Sequence, residues 1–296
     1  MTSQAIRRRN ASWIIFGIGV SALIASLAAG AENSSGRHCL WRITNAPAPF
    51  YLLGSVHALR PSDYHQTPVI EQAISQSQQF FFEIDPKEHE TFGKKLVEAA
   101  KYPQGVQILG KINPKTYAYL RKITLSGMGT WQHLHPWAIA VLLLHHPGYE
   151  RVSAQYGIDN YVARRARYFS RPAYGLETVD EHIHVLADMH EIEGEVLLLQ
   201  SLVHADEGPK RFQEEVAAWK TGDSERLYAM ELPRIKEAPT VWWRLLDRRN
   251  AKWIPRIEAA IKTGKPTMVV AGAMHFCGPR SVIALLKARG YKVEQL

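Results

Sequence analysis

At 296 residues, 46% of them hydrophobic and 22% charged, the chain can build one large core or two small ones, and disorder is excluded beyond the termini. The formal charge of +8 is spread over scattered Lys and Arg rather than a basic stripe interleaved with aromatics. That excludes nucleic acid as an expected partner and leaves only weak attraction to an anionic envelope surface.

Residues 1–31 stand apart. Arg7, Arg8 and Arg9 precede an uncharged stretch from Trp13 to Gly30, which ends in Ala29-Gly30-Ala31. A positive start, an apolar centre and a small-x-small site describe a secretory signal, with cleavage expected after Ala31 and one mature domain over 32–296. The alternative is an uncleaved anchor, because the apolar stretch nearly matches a bilayer span. Either way the chain is expected to be exported, to the periplasm or envelope of a Gram-negative bacterium, with membrane contact through this segment alone. Cleavage removes the three arginines and lowers the formal charge from +8 to +5.

"CLWRIT" (39–44) and "FYLLGSVH" (50–57), joined by the turn-prone "NAPAP", read as a hairpin. Pro61-Ser62-Asp63 is expected to cap a helix near 67–78, and "QFFFEID" (79–85) reads as a third strand ending in acids. Helical patterns dominate 87–168 and include "WAIAVLLLHH", apolar on all sides and therefore buried. "RPAYGLET" (171–178) is a fourth strand, 179–262 is again helical, and "PTMVVAGAMHF" is a fifth strand. "PRSVIALLKARG" is a helix closed by Gly290, and "YKVEQL" a last strand. Strands at both ends of a long helical middle predict an α/β fold: a central mixed sheet, completed by the C-terminus, with the helices packed around it.

Two of these strands end alike. "GSVH" puts His57 three residues after Gly54, and "GAMH" puts His275 three residues after Gly272. The spacing alone is unspecific, since 20 glycines and 13 histidines in 296 positions give about one such pair by chance. Context raises it: both histidines follow β-type runs, near the carboxyl ends of strands, where open α/β sheets bind ligands. Glu83 ends "FFFE" and Glu177 ends "AYGLE" in the same way. A carboxylate at such a place must be paired, protonated or bound to a cation.

If these strands lie side by side, His57, Glu83, Glu177 and His275 converge at one sheet edge. Two imidazoles and one or two carboxylates suit a divalent transition ion such as Mn, Fe, Co or Zn, and an open coordination position makes a nucleophile of bound water. Without a metal, one histidine serves as general base and Glu83 as its partner. Arg249, in "DRRN", binds a substrate carboxylate, holds Glu83 by a bidentate pair, or is an ordinary surface arginine. Cys39 and Cys277 either pair in the oxidising compartment or remain two separate thiols.

Other histidines are weaker candidates. In "DEHIHVLADMHE" (180–191), His182 and His184 are two apart and face different sides of a helix, and "HEIEG" lacks the second histidine of His-Glu-x-x-His. A solvated helix is the expectation there. His145-His146 follow a leucine-rich helix, where a C-terminal cap suits them, and "HLHPW" (133–137) reads as a helix start at Pro136. No Gly-x-Ser-x-Gly elbow, Walker loop or dinucleotide fingerprint is present, which argues against serine-hydrolase, nucleotide and nicotinamide chemistry.

"YLLGSVHAL", "FFFEID", "GIDNYVARRA", "YGLET", "DRRNAKW" and "VVAGAMHFCG", followed by "LLKARGYKV", resemble the TraB/GumN family, which is related to the Tiki membrane-associated metalloproteases. The resemblance covers about residues 39–296 and is strongest in the C-terminal block. It implies that His57 and His275 are the motif histidines and Glu83 the motif glutamate, with Glu177 and the Arg249-Asn250 pair at recurrent positions. It further implies metal-dependent cleavage of a peptide or protein, with His57, Glu83 and His275 on the ion, Glu177 as a fourth ligand or general base, and Arg249 steadying substrate. Two rivals stand beside this expectation: a metal-free, esterase-like hydrolase with a histidine base, and a non-enzymatic periplasmic binding or assembly factor, for example in polysaccharide export. The oligomeric state is left open.

Overall fold

The computed structural model describes residues 36–63, 67–123, 129–143, 152–203 and 208–296, all within the compact unit Ser35–Leu296. Residues 1–31, expected to be a signal or anchor, and the pair His145-His146 lie outside the described residues. In chain order come β1 (Leu40–Ile43), β2 (Phe50–Ser55), α1 (Pro68–Gln76), β3 (Gln79–Phe82), α2 (His89–Ala99), α3 (Pro114–Ile123), α4 (Pro136–Leu143), α5 (Ile158–Tyr168), β4 (Ala173–Gly175) and α6 (Val179–Ala187). They are followed by α7 (Glu191–Val203), α8 (Gly208–Lys220), α9 (Ser224–Glu237), α10 (Pro239–Trp242), α11 (Arg248–Lys262), β5 (Thr267–Gly272), α12 (Val282–Ala288) and β6 (Val293–Gln295). Among the described residues no helix is long and apolar enough to cross a membrane.

The strands form one mixed sheet in the order β4-β3-β5-β2-β1-β6. β1 pairs antiparallel with β2 as the expected hairpin, and with β6, which brings the C-terminus beside the first strand. β2, β5, β3 and β4 are parallel neighbours. Every residue of β2 and β5 is buried, as befits strands covered on both faces, whose sequences run apolar without alternation. α11 presents Trp253, Ile254, Ile257 and Ile261 to this core, together with Ile74 of α1 and Val162 of α5. A second cluster joins α4 and α7 through Ile139, Leu198 and Leu202, so the apolar helix is buried over most of its described surface, with Leu142 left exposed.

One cap differs from expectation. Thr67, not Pro61-Ser62-Asp63, closes the start of α1, accepting the Ile70 N–H at 3.4 Å. A threonine placed directly before Pro68 at the first helical position does this more economically than a turn several residues upstream.

Candidate functional site

The parallel register decides where the site forms. Ser55 is level with Gly272, and Phe82 is level with both Val270 and Gly175. The residues leaving the carboxyl ends of four adjacent strands therefore emerge together: His57 after β2, Glu83 after β3, Glu177 after β4 and His275 after β5. His275 sits in the 3₁₀ turn Ala273–Phe276 rather than on the strand itself.

Both motif glycines have a steric reason. A Cβ on Gly54 would lie 3.1 Å from the Cα of Ala273, so the glycine lets the turn bearing His275 approach β2. A Cβ on Gly272 would lie 3.0 Å from His57 Nε2 and 3.5 Å from Glu83 Oε1. Only a bare backbone leaves room for both groups above the end of β5, and the Gly272 N–H donates to Glu83 Oε1 at 2.8 Å.

His57 Nε2 lies 3.6 Å from Glu83 Oε1, and His275 Nε2 lies 3.9 Å from the same oxygen. The opposite ring nitrogens are held. His57 Nδ1 meets Asp159 Oδ2 at 3.0 Å, and His275 Nδ1 meets Asn250 Oδ1 at 2.6 Å. Asn250 gives its amide N–H to the Arg280 carbonyl at 3.0 Å, so its oxygen faces His275 and the His275 proton resides on Nδ1. That leaves Nε2 of His275 as a lone-pair donor. Asp159 is itself fixed by the Ser55 hydroxyl, which donates to Oδ1 at 2.5 Å.

Arg249 is buried and lies behind the carboxylates. Its Nη2 is 2.5 Å from Glu83 Oε2 and 2.5 Å from Glu177 Oε1, its Nη1 donates to His275 Nε2 at 3.2 Å, and its guanidinium covers the Trp253 ring. Glu177 is fully engaged: Arg249, the Trp253 indole N–H at 3.0 Å and His182 Nδ1 at 2.6 Å all bind it. The surface-arginine alternative is therefore corrected: Arg249 bridges two carboxylates. Glu177, expected as fourth ligand or general base, has both oxygens committed to holding Arg249, Trp253 and His182.

The charges follow from these contacts. Burial lowers the pKa of His275 to about 3, with Arg249 adding to the effect, so its imidazole is neutral. Asp159 raises the pKa of His57 above its ordinary 6.5, although the side chain is 65% exposed and water screens part of that attraction. Burial acts to raise Glu83, yet Arg249 and the histidines outweigh it and hold the carboxyl well below its usual range. Glu177 and Asp159 are lowered in the same contest, by His182 with Arg249 and by His57 with Ser55. Three ionised carboxylates against Arg249 and a protonated His57 leave the cluster one net negative charge.

Two groups of side chains can be tested against an ion. Donors about 2.0–2.2 Å from one metal stand no more than ~4.4 Å apart. The pairs His57 Nε2–Glu83 Oε1 and His275 Nε2–Glu83 Oε1 meet that limit, and both imidazoles carry the outer hydrogen bonds that orient metal-binding histidines. Glu83, Glu177 and His182 also offer atoms within 4.8 Å of one another. There, however, Arg249 Nη2 lies 2.5 Å from both carboxylates and 3.2 Å from His182 Nδ1, so the guanidinium fills the place of an ion. Each histidine thus reaches Glu83, but among the described residues only Glu83, Glu177 and His182 offer atoms that all lie within 4.8 Å of one another, and that group takes an ion only if Arg249 leaves.

Two residues of this site are missed by reading the sequence. Asp159 stands in the first turn of α5, where an acid is ordinary, but Val162 and Ala163, three and four residues on, are buried. His182 falls in the segment expected to be a solvated helix. That holds for His184, which is exposed and pairs with Asp188, but His182 flanks the buried stripe Val179–Ile183 and meets Phe92 edge-on. The cysteines are settled as free, buried thiols: Cys277 Sγ donates to the Ala273 carbonyl at 3.1 Å, and burial pushes its pKa up to about 12.

Two clefts meet at the histidines. One of about 550 Å³ mixes His57, Glu83, Asp159 and His182 with apolar walls that include Ile84 and Phe92. An apolar one of about 250 Å³ runs from His57 and His275 to α8 and α9.

An α/β sheet whose parallel strands deliver two imidazoles and a carboxylate to one edge, beside an open cleft, defines a candidate ligand-binding site. Residues 39–295 match the TraB/PrgY/gumN family, and the chain belongs to that family. An uncharacterized protein of Treponema pallidum (strain Nichols) is similar, with 22% identity over 286 residues that span 89% of this chain and 85% of that protein. No solved structure matches the chain.

Proposed function

We propose that the protein is an exported metal-dependent hydrolase acting on peptide bonds. The observation that carries the reading is the convergence of His57 Nε2 and His275 Nε2 on Glu83 Oε1, at 3.6 and 3.9 Å, with each opposite ring nitrogen held by Asp159 or Asn250. His57, Glu83 and His275 would hold the ion, with the two imidazoles drawing together on it and His275 Nε2 giving up its hydrogen bond from Arg249 Nη1. Bound there, a divalent transition ion supplies a Lewis acid and a water of lowered pKa. Asp159 and Asn250 orient the two rings, while Arg249, itself held by Glu177, grips Glu83 Oε2 and leaves Oε1 facing the histidines. The 550 Å³ cleft gives room for an extended segment of chain. Peptide as substrate is supported by the resemblance to Tiki-type metalloproteases, and export by the signal-like residues 1–31.

A second reading has one observation in its favour. Asp159 and His57 form a carboxylate–imidazole pair that can work as a general base without metal. The experiment that separates the two is peptide hydrolysis by purified protein before and after chelation, with Mn, Co or Zn returned. The metal reading expects activity to vanish on chelation, to return with metal, and to be absent throughout in His57→Ala and His275→Ala. Activity that survives chelation and fails only in His57→Ala selects the metal-free base. No hydrolysis under any condition removes both.

A further inference from the structure

The apolar cleft is not needed to hold the proposed ion, yet it opens onto the same two histidines. Its walls are Phe212, Val216 and Trp219 of α8, Leu227 of α9, and Met274, which lies beside His275 in the 3₁₀ turn. Apolar walls of this kind accept a hydrocarbon group, and 250 Å³ far exceeds the ~30 Å³ share of a single liquid water. Two acids interrupt them: Glu215, one turn after Phe212, and Glu231, one turn after Leu227.

Glu231 is nine-tenths buried. Arg211 donates to its Oε1, and Arg234 Nη1 stands 3.7 Å from Oε2 in an ion pair too long for a hydrogen bond, so Oε2 has no hydrogen-bond partner. Arg211 also donates to Glu215 Oε1 at 2.9 Å. The wall of the cleft thus carries two carboxylates, while neither arginine lines it. A buried acceptor left without a donor is a standing demand for one. Burial first, and Glu231 second, raise the pKa of Glu215 to about 7, against the pull of Arg211 and Arg234.

We propose that this cleft is a subsite for an apolar stem ending in an ammonium group, whose charge is taken by Glu231 and Glu215. Assigning that group to a peptide substrate rests on the hydrolase reading above. It would then belong to a lysine side chain or to an amino terminus next to an unbranched apolar residue.

Three compounds of one skeleton test this: Nα-acetyl-lysinamide, norleucinamide and Nα-acetyl-norleucinamide. Each is titrated into metal-free, full-length protein labelled with ¹³C at methionine methyls, following Met274. One of the two charged compounds is expected to bind about tenfold or more tightly than the uncharged one, because charge-assisted hydrogen bonds exceed neutral ones. Whichever is tighter identifies side chain or amino terminus as the source. The advantage is expected to fall below about threefold in Glu231→Gln, with affinity for the uncharged compound unchanged; Glu215→Gln serves if that variant misfolds. Binding of all three within about threefold, no shift at Met274, or an advantage that survives the glutamine variants overturns the proposal. Neither metal nor turnover enters these titrations, so an absence of hydrolysis does not change how they are read.

Discussion

His57 is the residue on which the site is most exposed to error, because its side chain is 65% exposed and only Asp159 and the space above Gly272 fix it. Asp159→Asn keeps the shape and removes the charge. Its expected effect is a 10–100-fold loss of metal affinity, the usual result of losing an orienting partner, together with a fall in the His57 pKa toward 6.5. Metal titration and histidine NMR measure the two; an unchanged affinity would mean that Asp159 does not orient the ring. Gly272→Ala is the complementary change, since it adds a methyl 3.0 Å from His57 Nε2. His57 can swing into solvent, so stability should change by less than about 1 kcal/mol while hydrolysis falls by about a hundredfold, as a misplaced group costs. A melting scan and an assay on the same sample separate the two effects.

At the level of elements, four parallel strands end together and three helices complete the site: α5 with Asp159, α6 with His182, and α11 with Arg249 and Asn250. α6 is held by a full capping box, Thr178 accepting the Glu181 N–H at 3.1 Å while Glu181 accepts the Thr178 N–H at 2.8 Å. Thr178→Ala should cost about 1 kcal/mol, or roughly 2–4 °C in melting temperature, and loosen the His182 support of Glu177. A melting temperature unchanged within a degree would show that the box contributes nothing. The same arrangement explains which residues were readable from sequence. Strand ends announce themselves, because an apolar run that stops at His57, Glu83, Glu177 or His275 is a local pattern, and the parallel pairing then aligns all four. Asp159 and His182 lie on helices, where an acid in a first turn or a histidine near an apolar stripe has many ordinary uses. Their partners, His57 and Glu177, belong to other elements, and only the packing of α5 and α6 against the sheet edge identifies them. The cysteines could not be assigned for a similar reason, since pairing depends on a separation that no local pattern encodes.

For the molecule as a whole, the acidic pair beside the apolar cleft makes a pH statement independent of the proposed ion. Glu215 titrates near 7 in the folded protein and near 4.5 when unfolded, with Arg211, Glu231 and Arg234 around it. The native state therefore keeps a proton that the unfolded chain releases, and stability should fall as pH rises from 4.5 through 7. Glu215→Gln should flatten that part of the profile and be the more stable form above pH 7. A variant whose stability tracks the wild type across this range contradicts the assignment. Whether His57, Glu83 and His275 share one divalent ion is best decided by anomalous diffraction from crystals grown with Mn or Zn. The expected map has one strong peak within coordination distance of His57 Nε2, Glu83 Oε1 and His275 Nε2, with Arg249 still bridging Glu83 and Glu177. A peak among Glu83, Glu177 and His182 with Arg249 displaced, or no peak at this sheet edge, would contradict the shared ion.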